Sequence, residues 1–273
     1  MPRPEIHDLR MPKRLRMAMV APSGFGKTVF AGTAPDALFL TTDPEGTASA
    51  AAFGSKAREI EISNEDQLID AYNYLEQGGI DELGLQFVIV DNLTEVQAIF
   101  MARAMEIAVR EGAKKGVERS KYVPDQHQYL TEQNATVDFV KKMCSLPVHL
   151  IFTVHRKGME DGDGNDFFSA AIRGKQGEIA QMVLGYMNVI GMGEVMTIEG
   201  KGEVRRTYFD HVRQFRGKDR FVKLGKYRDG LTVPAMMAEL YPNGVGSASV
   251  PATTSTATTS VEAAPKRRRR VTS

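Results

Sequence analysis

The octet Ala21-Pro22-Ser23-Gly24-Phe25-Gly26-Lys27-Thr28 has the residue types and spacing for phosphate chemistry. Set against the pattern G-x-x-x-x-G-K-[ST], it keeps Gly26, Lys27 and Thr28 and departs at the first position, where Ala21 stands for glycine. A phosphate chain needs several backbone N–H groups converging on it. A glycine-bearing turn at the head of a helix supplies them, together with the positive end of the helix dipole. The amides of Ser23, Gly24, Phe25, Gly26, Lys27 and Thr28 would form that cradle, with Gly24 and Gly26 free to take positive φ. The Lys27 ammonium would reach the β- and γ-phosphates of ATP, and the Thr28 hydroxyl would ligate Mg²⁺.

Three further polar residues end apolar runs. Asp91 closes Phe87-Val88-Ile89-Val90, as expected of a buried strand that delivers a carboxylate to the Mg²⁺ shell, usually through water. Glu45 follows Ala37-Leu38-Phe39-Leu40-Thr41 within Thr42-Asp43-Pro44-Glu45-Gly46. There it could orient and deprotonate a water attacking the γ-phosphate, with Asp43 as the lesser candidate. The same five residues read equally well as a plain turn. His155 ends Val148 to Val154, where an imidazole could sense the γ-phosphate or serve as a satisfied structural histidine.

The elements that must position these groups alternate. Leu15 to Val20 suits a strand, and Thr28 to Ala34 can start a helix. Strands are expected at 37–41, 58–62, 87–91 and 148–154. Between them lie helices at 65–76, capped by Asn64 and stopped by Gly78-Gly79, at 92–110 and at 126–144. Beyond a helix or turn at 174–187, strands at 188–193, 194–198 and 204–210 read as antiparallel, the last two forming a hairpin. The expected fold class is therefore α/β: a mainly parallel sheet flanked by helices, with antiparallel strands in the carboxyl third.

Two loops are candidates for a polyanion. Residues 111–122 carry Lys114, Lys115, Arg119 and Lys121 beside Tyr122, which could grip a phosphodiester backbone and stack a base, or form a solvated face. The loop after His155 begins Arg156-Lys157 but continues with Glu160, Asp161, Asp163 and Asp166. It fails as a calcium loop because Asp166 stands where glycine is needed and Ile172 where a bidentate glutamate is needed. A mobile hairpin is expected instead. Later, Lys218 and Arg220 stand two apart, on one face if the segment is extended.

Composition is that of a globular protein: 273 residues, 42% hydrophobic and 25% charged, with formal charge +1. Lys266 to Arg270 are five cations against Glu262, so 261–273 hold +4 and the rest of the chain −3. Any attraction to nucleic acid must come from local patches. A single cysteine, Cys144, excludes an internal disulfide and a cysteine-based zinc site and fits a reducing compartment. No apolar segment approaches membrane-spanning length, and a cytoplasmic protein is expected. The chain divides into a basic leader or docking arm at 1–14, a core at 15–242 and a Ser/Thr/Ala-rich tail at 243–273. The tail's composition predicts disorder, and its basic end reads as a nuclear signal or as generic polyanion attraction.

Over residues 14 to 240 this order of motifs resembles the RecA-like core ATPases. More narrowly it resembles the short phage nucleotide-binding proteins classed with AAA-type ATPases and regarded as RecA-core single-strand annealing proteins. APSGFGKT, LFLTTDPEGT, FVIVDNLT, IFTVHRK and the late KDRF carry the resemblance. It implies that Glu45 is the catalytic base and that the loops at 111–125 and 156–168 face single-stranded DNA. It also implies that Lys218 and Arg220 reach into a neighbour's nucleotide in a homo-oligomeric ring or filament. Partners would be ATP, Mg²⁺, single-stranded DNA and recombination or replication proteins of phage or host. The same core also serves helicases, helicase loaders and nucleotide-gated binding modules with little turnover. A small-molecule kinase would need an arginine-rich lid, for which the loop after His155 is too acidic.

Overall fold

In a computed structural model of the chain, residues 11–244 are described; most of the leader and nearly all of the tail lie outside the described residues. In chain order the elements are β1 (Arg16–Ala21), α1 (Lys27–Ala31), β2 (Ala37–Thr41), α2 (Ala48–Ala52), β3 (Arg58–Glu61), α3 (Glu65–Tyr74), α4 (Ile80–Glu82), β4 (Phe87–Asp91), α5 (Leu93–Lys114) and α6 (Gln126–Ser145). They continue with β5 (His149–Glu160), β6 (Asp166–Ala170), α7 (Glu178–Gly185), β7 (Val189–Ile198), β8 (Gly202–Tyr208), β9 (His211–Val212), β10 (Phe215–Arg216), β11 (Lys218–Asp219), β12 (Tyr227–Asp229) and α8 (Val233–Leu240).

Strands β2 and β4 are buried at every residue, and β1 at every residue after Arg16. Such continuous burial requires a parallel sheet covered on both faces. The strand order is β3-β2-β4-β5-β1-β7-β8-β12, parallel from β3 to β7 and antiparallel beyond. Alternate residues of one strand serve opposite layers. Val20, Leu40, Val90 and Phe152 pack with Leu68 of α3, Phe100 of α5, Val140 of α6 and Val183 of α7. Met17, Met19, Phe39 and Ile89 pack with Phe30 of α1 and Val233 and Met236 of α8.

The helix starts follow local chemistry. Asn64 accepts from the Gln67 amide and Asn92 from the Glu95 amide, while Asp125 and Gln128 form a reciprocal capping box. Helix α3 ends at Tyr74, and a kink at Gln77 and Gly78 separates it from α4.

Two strands run further than their apolar patterns predict. The strands expected at 188–193 and 194–198 are one, β7: Val189 to Met192 pair parallel with β1, and Met192 to Ile198 pair antiparallel with β8. Similarly β5 continues past Val154 as a ribbon with β6. In each case the outer half pairs in a two-stranded ribbon, where the apolar run stops but the backbone hydrogen bonds do not. Both ribbons leave the sheet at the edge where β1 ends. The hairpin expected after His155 is the β5–β6 ribbon, and its second strand contacts a later segment: Phe168 N–H donates to Gln214 O at 2.8 Å, and Arg216 lies over the Phe167 ring.

Candidate active site

The turn after β1 takes its shape from two glycines, Gly24 at φ 79° and Gly26 at φ 93°, both in the left-handed region that other residues avoid. Gly26 is the N-cap of α1 and no side chain caps that helix, so the amides at its head are available to a ligand. Phe25 anchors the loop from below, with a side chain only 3% exposed. Its ring closes on Gly193 of β7, where an added Cβ would lie 2.7 Å from Phe25 Cζ and 2.8 Å from Ala21 Cβ. The departure at Ala21 thus has a structural counterpart, since the methyl group there occupies space left open by a glycine on the adjacent strand.

Lys27 is 8% exposed, and its ammonium donates to Ala21 O at 3.2 Å and Pro22 O at 3.1 Å. Burial lowers its pKa, and the Asp91 carboxylate opposes that shift. Thr28 Oγ1 donates to Asp91 Oδ2 at 2.6 Å, and Thr153 Oγ1 from β5 donates to Asp91 Oδ1 at 2.5 Å. Thr42 fixes the backbone beneath: its amide donates to Asp91 O at 2.9 Å, and its hydroxyl accepts the Asn92 amide at 3.2 Å. The hydroxyl and carboxylate in contact offer oxygen donors that fit a hard cation, and the ammonium nearby suits phosphate oxygens.

Strand β5 lies between β1 and β4, and its His155 is in register with Ala21. That places His155 on the strand between the one that leads into the loop and the one that ends in Asp91. Its amide donates to Thr94 Oγ1 at 3.2 Å, and its carbonyl accepts from Ala171. Burial lowers its pKa first and Lys27 second, against Glu95 and Asp91, which favours a neutral ring. Glu45 is exposed in the turn after β2, with its amide held by Asp43 Oδ1 at 3.2 Å. From there α2 packs back on α1, Ala50 lying against Gly32.

Lys27, Thr28, Asp91 and His155 are therefore brought together, while Glu45 is exposed in the turn that follows β2, the strand beside β4. Lys218 and Arg220 are elsewhere in this chain. Strand β11 pairs with Val189 and Ile190, beside the start of β1 and at the opposite end of the sheet from the loop. Lys218 Nζ donates to Leu184 O at 3.2 Å, and Arg220 Nη2 donates to Gly185 O at 3.3 Å, so the pair closes the carboxyl end of α7.

Lys114 and Lys115 stand at the end of α5, and Arg119 pairs with Asp125 at 2.9 Å. Beside Lys121, Tyr122 is 90% exposed. Arg156 is covered by the Phe168 ring at 3.8 Å and donates to Gly193 O at 3.1 Å, while Lys157 donates to Ile172 O at 3.0 Å. Thr153 and Gly193 escape a sequence reading. The lone hydroxyl within Ile151 to Val154 is the one local sign of Thr153, and Gly193 shows only once β7 is placed beside β1.

The family model described as AAA domain matches residues 13–221. The match spans the loop, Glu45, Asp91, His155, Lys218 and Arg220. No curated protein matches the chain. No helix among the described residues is long and apolar enough to cross a membrane.

Proposed function

This chain belongs to the AAA domain family and is a nucleotide-binding and hydrolysing P-loop ATPase; from that premise we propose that it is a RecA-like phage protein that uses ATP·Mg²⁺ to act on single-stranded DNA in recombination, annealing or replication. The observation that carries the chemical part is the 2.6 Å contact between Thr28 and Asp91 beside the buried Lys27 ammonium. The amides of Ser23 to Thr28 and the Lys27 side chain hold the phosphates. Thr28 and Asp91 would hold Mg²⁺, which would supply neutralisation of charge on the phosphate oxygens. Glu45 takes the proton of the attacking water, and the neutral His155 ring donates or accepts a hydrogen bond near the terminal phosphate.

DNA binding is supported by a cleft of about 770 Å³ along α5. Met101, Met105 and Val109 line it with Tyr122, and the cations Arg110, Lys121 and Arg173 outnumber the one acid there, Glu106. An apolar floor with an exposed aromatic and cations suits unstacked bases and a phosphodiester chain. Assembly into a ring or filament would let Lys218 and Arg220 exchange the α7 carbonyls for a neighbour's nucleotide. The test is ATP turnover with and without single-stranded DNA, on material whose mass in solution is measured. Stimulation by DNA is expected, with log K for the strand falling against log[salt] at a slope near −0.7 per phosphate contacted. Unchanged turnover and a flat salt response would remove the DNA role.

The exposure of Glu45 favours a second reading, a nucleotide-gated binding module with little turnover. Under it, Glu45→Gln leaves hydrolysis almost unchanged; under the first, hydrolysis falls about 100-fold or more.

A further inference from the structure

Arginine 205 lies on β8, far from the loop in sequence, yet its side chain rests on Gly26. A Cβ built on Gly26 would be 3.6 Å from Arg205 Nε and 3.8 Å from Arg205 Cδ. The guanidinium therefore stands beside the residue that precedes Lys27.

The backbone of Arg205 is held on both sides: it pairs with Val195 of β7, and its carbonyl accepts the Gly230 amide at 2.9 Å. The side chain is not. It is 54% exposed, and its ion-pair contact among the described residues is Glu203 Oε1 at 3.6 Å, a carboxylate that is itself 62% exposed. The next residue is the opposite case. Arg206 makes a bidentate pair with Asp229 at 2.6 and 2.8 Å and lies over the Tyr227 ring at 3.8 Å. One arginine of the adjacent two is thus committed to the fold, while the other carries its charge to the phosphate loop with a weakly held counterion. An exposed pair at that distance contributes little to stability, so Arg205 can exchange Glu203 for a stronger anion at low cost.

We infer that Arg205 is a phosphate-binding residue of this site, supplied by the same chain that carries the loop, and that its ligand is the polyphosphate of the bound nucleotide. The inference rests on the nucleotide reading of the loop. It is independent of Lys218 and Arg220, which lie at the other end of the sheet. A guanidinium can make paired, charge-assisted hydrogen bonds to phosphate oxygens that a lysine ammonium cannot reproduce. With the contact made within one chain, it operates in a monomer as well as in an assembly.

The experiment measures dissociation constants of fluorescent ATP and ADP for the full chain, as wild type, Lys27→Ala, Arg205→Ala and Arg205→Lys, with the melting temperature of each nucleotide-free protein. Arg205→Ala is expected to weaken binding about 10- to 100-fold, the range of a lost charge-assisted bond. Arg205→Lys should recover part of it, with nucleotide-free melting temperatures unchanged. Wild-type affinity in Arg205→Ala overturns the inference while leaving the loop's role intact, as does a lowered melting temperature at unaltered affinity, which assigns Arg205 to strand packing. Wild type that binds no nucleotide overturns both.

Discussion

The Thr28 hydroxyl donates to Asp91 Oδ2 at 2.6 Å, joining two residues that are 63 positions apart in sequence. One sits in the first turn of α1 and the other at the tip of β4, with β5 between their strands. The contact therefore requires the interleaved strand order, and β5 contributes to it directly through Thr153. The carboxylate is positioned by a hydroxyl on each oxygen.

Thr153→Val tests that positioning. It removes the donor to Asp91 Oδ1 at a fully buried site with little change in volume. Urea denaturation should show a loss of about 1–3 kcal/mol, the cost of an unsatisfied buried acceptor. The Mg²⁺ concentration needed for half-maximal turnover should rise with it.

Gly193→Ala tests the support beneath the loop. Its new methyl group would meet Phe25 Cζ at 2.7 Å and Ala21 Cβ at 2.8 Å, so either the loop or β7 must shift. Nucleotide affinity should fall about 10-fold, a positional penalty. The double variant Ala21→Gly/Gly193→Ala should recover the part due to Ala21 Cβ and not the part due to the Phe25 ring.

These sites mark the limit of what the sequence reveals. Strands β2 and β4 begin and end where their apolar runs do, because central parallel strands are buried on both faces and have no polar alternation to blur them. The caps at Asn64 and Asn92 are local chemistry and are equally legible. Gly24, Gly26, Lys27 and Thr28 announce their turn through a spacing rule. What was hidden depends on pairing between distant segments. The unbroken course of β7, the Ala21–Gly193 contact and the approach of Arg205 to Gly26 exist only because β7 lies beside β1 and β8 beside β7. The Arg156 side chain reads as a free cation in sequence, yet it lies half-buried over Phe168 and near Phe215, which arrive from other strands.

Stability should depend on pH through His149. Its Nδ1 accepts the Leu15 amide at 2.9 Å, its ring stacks on Phe87 at 4.9 Å, and burial pushes its pKa down from 6.5 to about 4. The fold needs the neutral ring, whereas the unfolded chain takes up a proton below about pH 6.5. Stability is therefore complete above that value and falls as pH drops toward 4, by up to about 3 kcal/mol in all. His149→Asn, which keeps an acceptor near the Nδ1 position but does not titrate, should flatten the dependence of the urea midpoint between pH 7 and pH 5.

Lys218 on β11 and Arg220 in the turn after it have two candidate roles that separate cleanly. If Lys218 and Arg220 act only on the carbonyls of Leu184 and Gly185, replacing either with alanine lowers the melting temperature and leaves turnover per protomer unchanged. If they also serve a neighbouring nucleotide, turnover falls about 10³-fold or more, by analogy with fingers in related systems. In that case nucleotide affinity at high dilution is preserved, and wild-type turnover rises with protein concentration.

The most direct test of the central claim is Mg²⁺-dependent ATP hydrolysis by wild type and Lys27→Ala, followed as phosphate release under saturating ATP. The arrangement of Lys27, Thr28 and Asp91 predicts turnover in the wild type and a loss of about 100-fold or more in the variant, as expected when a preorganised charge is removed from phosphoryl transfer. Equal rates in the two proteins would contradict it.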